Sequence, residues 1–73
     1  MNKYAVVIER GETSYGAYVP DLPGCIAVAQ TRAEVERLIA EAIALHIESL
    51  QEHGDPVPPP RSEIEWIAPV AVR

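Results

Sequence analysis

Chemistry in this 73-residue sequence would have to come from a short set of side chains: Glu9, Asp21, Glu41, Glu48, Glu65, His46, His53 and the lone Cys25. Carboxylates cleave phosphodiesters when they converge on divalent ions roughly 4 Å apart. These acids do not read that way. Glu41 and Glu48 fall on the solvent side of a helical wheel together with Arg37 and Glu52. Asp21 lies in a proline-rich turn, where an Asp side chain commonly bonds nearby backbone amides. No strand carries an acidic pair, so catalysis is not expected. No CxxC or HxxxH spacing accompanies the histidines, so no metal or other cofactor is expected either. Cys25 has no basic neighbour in sequence to lower its pKa and reads as a packing residue. His46 sits near the centre of an apolar arc, where an imidazole needs a hydrogen-bond partner. A structural histidine, bonded to backbone or to a neighbouring subunit, is preferred there over a pH-sensitive or metal-binding group. His53, beside Gly54, suits the C-terminal cap of a helix.

The elements that hold these residues follow from periodicity. Lys3 to Arg10 alternates, with Tyr4, Val6 and Ile8 on one face and Ala5, Val7 and Glu9 on the other. Gly11 to Ser14 is a turn, and Tyr15 to Val19 a second strand in an antiparallel hairpin with the first. Pro20-Asp21-Leu22-Pro23-Gly24 forms a rigid turn before a third strand, Cys25 to Gln30. That strand sets Ile26 and Val28 on one face. Small residues occupy the other, where a helix can approach closely. Thr31-Arg32-Ala33-Glu34 has the capping-box form, in which Glu34 reaches back to the Thr31 amide. The helix it opens runs without Gly or Pro until Gly54, with Pro56 as a stop. Its apolar arc, from Val35 and Ile39 through Ala42, His46 and Leu50 with flanking Leu38, Leu45, Ile43 and Ile47, spans roughly half the circumference. That is wider than the ~100° a single sheet face covers. Asp55 to Pro60 is a polyproline-like connector, read as a strap returning to the sheet in preference to a recognition motif for SH3-like domains. Glu63 to Val70 is the expected fourth strand, with Ile64 and Trp66 on one face and Glu65 and Ile67 on the other. Pro69 limits its length or places it at an edge.

Composition bounds the function. The chain is 48% apolar with no Phe, and carries six Lys+Arg against eleven Asp+Glu for a net charge of −5. Phosphate backbones select basic surfaces, so direct nucleic-acid binding is not expected. The acidic balance serves solubility or a basic protein partner. No apolar run is long enough to span a bilayer and no signal-peptide layout opens the chain, which makes a cytoplasmic, membrane-free protein the expectation. A domain this small buries a modest share of its surface. With disulfide and metal excluded, a homo-oligomer, dimer or tetramer, is expected. Apolar residues on both strand faces with only one helix to cover them point the same way. The residues named for that interface are His46, Ile47, Leu50 and Trp66.

Taken together, Tyr18 to Cys25 with its Pro20-Asp21-Leu22-Pro23-Gly24-Cys25 turn, the capped Thr31 to Glu34, the Glu41 to Glu48 stretch and the Gly54 to Pro58 strap resemble the N-terminal domain of HicB-type antitoxins over nearly the whole chain. The resemblance implies one HicB-like domain over residues 1–73. Its fold would be α+β, a two-layer β-β-β-α-β arrangement with a mixed four-stranded sheet and one long helix, like a truncated ribonuclease-H fold. The fourth strand would lie beside the first and parallel to it. The resemblance also implies a protein-interaction module that binds and inhibits a small HicA-type mRNA-cleaving ribonuclease. The Pro20 to Cys25 turn would then be structural or partner-binding. The alternative is an orphan oligomer with another partner or ligand. Complete members carry a C-terminal DNA-binding module, and none is expected in this chain.

Overall fold

A computed structural model describes residues 3–71 of the protein. Three strands, β1 (Val7–Arg10), β2 (Tyr15–Tyr18) and β3 (Ile26–Ala29), precede one helix, α1 (Arg32–Glu52). The strands form an antiparallel sheet in the order β1-β2-β3, with Ile8 opposite Ala17 and Ala17 opposite Ala27. This register puts Ile8, Ala17, Ala27 and Ala29 on the face that receives the helix. Val7, Tyr18, Ile26 and Val28 lie on the other face, in agreement with the alternation in sequence.

The core is small. Ala17, Val19, Leu22, Cys25, Ala29, Val35 and Ile39 are buried, with Val6, Ile8, Leu38, Ala42, Ile43 and Ile47 packed around them. The small side chains of β2 and β3 let α1 approach, and α1 crosses β3 and β2 without reaching β1. Length mismatch explains the width of the helix's apolar arc. Twenty-one helical residues extend about 31 Å at 1.5 Å each, whereas a four-residue strand spans about 13 Å. The helix therefore outruns the sheet, and Leu45 remains 65% exposed.

Helix boundaries follow local chemistry. The Thr31 hydroxyl accepts from the Glu34 amide at 3.1 Å. Glu34 reaches back one residue further than the expected box, taking the Gln30 amide at 3.3 Å. At the other end His53 is the cap, its Nδ1 2.7 Å from the Ser49 carbonyl. Gly54 follows at φ +71°, a conformation that costs Gly least, and the Asp55 amide donates to Leu50 O.

The fourth strand is where the structure departs from expectation. Among the described residues the sheet has three strands, not four, and no parallel pair. Residues 63–71 make no backbone–backbone bond with the rest of the chain. They form an extended arm, exposed throughout. The molecule measures 53 × 28 × 20 Å with a radius of gyration of 14.7 Å, against about 11 Å for a compact chain of this length. The arm runs on without joining the sheet.

Candidate functional site

The turn between β2 and β3 is tightly constrained by its own backbone bonds. Two β-turns follow one another, each with proline at its second position. The Leu22 amide donates to Val19 O at 3.1 Å, and the Cys25 amide donates to Leu22 O at 3.0 Å. Proline at that position supplies the required φ at no entropic cost in the folded state. In the second turn Gly24 adopts φ +86°, the position where a type II turn excludes side chains. The Val19 amide closes the loop on Cys25 O. The double turn drives Leu22 inward, where it is 0% exposed and one of the two most completely buried large side chains among the described residues.

Pro20, Pro23 and Gly24 are left on the surface, and Cys25 is buried beside Leu22. Burial pushes the Cys25 thiol up, away from the reactive thiolate. Asp21 faces outward and does something the turn alone could not disclose. Its carboxylate accepts from the amides of Arg61 and Ser62, both at 2.8 Å, and from the Ser62 hydroxyl at 2.9 Å. The expected local bonding of Asp21 is thus replaced by bonds to residues about forty positions away. The two backbone amides, Ser62 first, hold its carboxyl below the ordinary value of 3.8. A second tie joins the Tyr4 hydroxyl to Pro58 O. Strap and turn are therefore one unit, and the arm leaves the body from a fixed root at Ser62.

From that root the arm passes alongside β1, and a cleft of about 390 Å³ separates them, lined by Val6, Val7, Ile8, Arg32, Ile64 and Trp66. The structure does not gather the expected interface residues into one patch. Trp66 is 90% exposed on the arm, near the helix start at Arg32. His46, Ile47 and Leu50 are half-buried on the later turns of α1, His46 lying ~21 Å along the helix axis from Arg32. The acids are also dispersed. Glu41 pairs with Arg37 on the exposed helix face, as Glu36 does with Arg32. Among the described residues no three His, Cys, Asp or Glu side chains are grouped to hold a metal. No helix there is long and apolar enough to cross a membrane.

A family model for the HicB-like antitoxin of bacterial toxin–antitoxin systems matches residues 4–70, strap and arm included. The chain belongs to this HicB-like antitoxin family. A UPF0150 protein of Thermoplasma acidophilum is 40% identical over 62 residues, covering 84% of this chain and 90% of the relative. An uncharacterized 14.9 kDa protein of Haemophilus phage HP1 is 36% identical over 55 residues, 75% of this chain but 41% of that protein. Among solved structures, a chain of the HicA3 and HicB3 toxin–antitoxin complex superimposes with a TM-score of 0.70 at 35% identity, covering 81% of this chain and 70% of that one. The HicB-like family is one of antitoxins, and the elements compared above, three strands and a long helix, are the α+β frame on which this member displays its turn, strap and arm.

Proposed function

We propose that this HicB-like chain is a protein-interaction module of a toxin–antitoxin pair, binding and inhibiting a small HicA-type ribonuclease in the cytoplasm. The observation that carries the reading is its likeness, at 35% identity and over 81% of its length, to a chain of a complex between toxin and antitoxin. Charge supports it. A net charge of −5 complements a basic, RNA-cleaving partner and disfavours direct competition for RNA. Inhibition on this reading is by occlusion: the antitoxin contributes surface and no catalytic group. The Pro20 to Cys25 turn is the proposed contact region, because Pro20, Pro23 and Gly24 are exposed on a hydrogen-bonded double turn and a preorganised surface loses least entropy on binding.

Co-expression with a small basic open reading frame adjacent in the genome tests the proposal. A co-purifying complex and restored growth are the expected outcome. Toxicity unrelieved by the antitoxin, with no complex formed, would overturn it.

Self-association, through Ile47 and Leu50 at the overhanging end of α1, His46 beside them, and Trp66 on the arm, is proposed alongside. The exposed Leu45 beside them on α1 and the exposed Trp66 of the arm favour it, since uncovered apolar surface marks an interaction site. It holds equally for an orphan oligomer without a toxin.

A further inference from the structure

We infer that the arm, Glu63 to Val70, is an exchange strand that leaves its own chain and lies along β1 of a second copy, in the cleft beside Val6, Val7 and Ile8. This goes beyond self-association as such by naming the segment exchanged, and it is independent of toxin binding.

The arm has the composition of a strand and none of the bonds of one. Ile64 and Trp66 point to one side and Ile67 to the other. Ile64 is 53% exposed and Trp66, Ile67 and Val70 are 90%, 80% and 82% exposed, so its own chain covers neither side. A segment apolar on both sides fits a place covered on both sides. The arm is also aimed. Two amides and a hydroxyl on Asp21, with the Tyr4 to Pro58 tie, fix its root at Ser62, and beyond that point Ile64 and Trp66 are separated from β1 by an open cleft.

The acceptor is present in the same molecule. β1 is an edge strand, pairing on one side only with β2. An unpaired edge invites another strand, and proteins commonly cover such edges. At β1 the invitation is apolar on both faces, with Val6 and Ile8 on the inner side and Val7 on the outer. The inner side is open there because α1 stops short of β1. The β3 edge is the weaker acceptor, since α1 lies over its inner face.

A second copy is favoured over a different protein because each chain carries one donor strand and one acceptor edge. A two-fold exchange satisfies both at once and closes, leaving no donor strand unpaired and, of the original edges, only that of β3. A foreign partner on β1 would leave the arm uncovered. Pro69 ends the ladder the arm can form, which limits growth beyond a closed pair.

The full chain tests this, because Trp66 is its single tryptophan. Light scattering should give an even-numbered oligomer, with Trp66 emission blue-shifted in it and red-shifted on dilution. In a mixture of isotope-labelled and unlabelled chains, nuclear Overhauser contacts between the Trp66 ring and the Val6 and Ile8 methyls should cross from one copy to the other. Trp66→Asp should weaken association roughly thirtyfold or more, the weight of an aromatic hot spot, with the helical circular dichroism of the monomer kept. Val28→Asp, on the outer sheet face, should leave association unchanged. A chain monomeric at all concentrations would overturn the inference, as would Trp66 contacts confined to one copy. So would an oligomer dissolved by Val28→Asp with Trp66 still in water. Burial of Trp66 only on adding a basic ribonuclease would assign the arm to that partner instead, and the exchange would be refuted.

Discussion

The turn at Pro20–Cys25 and the arm at Glu63–Val70 are built from similar materials, apolar residues punctuated by proline and an acid, yet they end in opposite conditions. In the turn, two prolines and one glycine at φ +86° fold Val19 to Cys25 onto itself and bury Leu22 completely. In the arm, no turn chemistry brings the chain back, and Trp66 and Ile67 stay in water. A local motif can bury a side chain when the bonds that close it lie within a few residues. A lone strand cannot, because its hydrogen bonds and both its faces must be met from elsewhere.

The contrast can be broken most forcefully at Leu22. Leu22→Ala should destabilise the domain by about 2–5 kcal/mol, the cost of a cavity at a fully buried site, read as a lower denaturation midpoint. If this substitution were nearly silent, the turn would be a surface loop and the contrast with the arm would vanish. Tyr4→Phe removes one side-chain bond between the first strand segment and the strap, and should cost about 1 kcal/mol in the same measurement.

Asp21 gives the smallest global effect and the most local one. Asp21→Asn should speed amide exchange at Arg61 and Ser62 while leaving that of the helix core unchanged. Acid should act in the same way. The carboxyl is held below 3.8 in the folded chain, so its contribution is complete above that value and fades as the pH falls through the lowered pKa. Amide shifts of Arg61 and Ser62 followed from neutral pH downward would report the change. Protection that persists through the titration would mean that something other than Asp21 roots the arm.

Much of this was legible without coordinates. Alternation grouped Tyr4, Val6 and Ile8 on one face and set Ile26 and Val28 opposite the small residues a helix can approach, because a strand has a two-residue period; the register then made the first group inner. Thr31, Gly54 and the hairpin turn marked the ends of elements because caps and turns are chemistry between near neighbours. Legibility failed with distance along the chain. Asp21 looked like a residue bonding its own turn, and only the folded strap brings Arg61 and Ser62 to it. Glu34 was one residue out in its reach for the same kind of reason, since several amides compete for one carboxylate at a helix start.

For this protein, then, the residues themselves determined the order of elements, the faces they bury and membership in an antitoxin family. Those depend on periodicity and on contacts a few positions apart. The number of strands in the sheet was a tertiary decision. Glu63 to Val70 has the pattern of a strand, but a strand exists only where a neighbour offers its hydrogen bonds. The Asp21 anchor, the offset of α1 from β1 and the cleft between β1 and the arm withhold that neighbour within one chain.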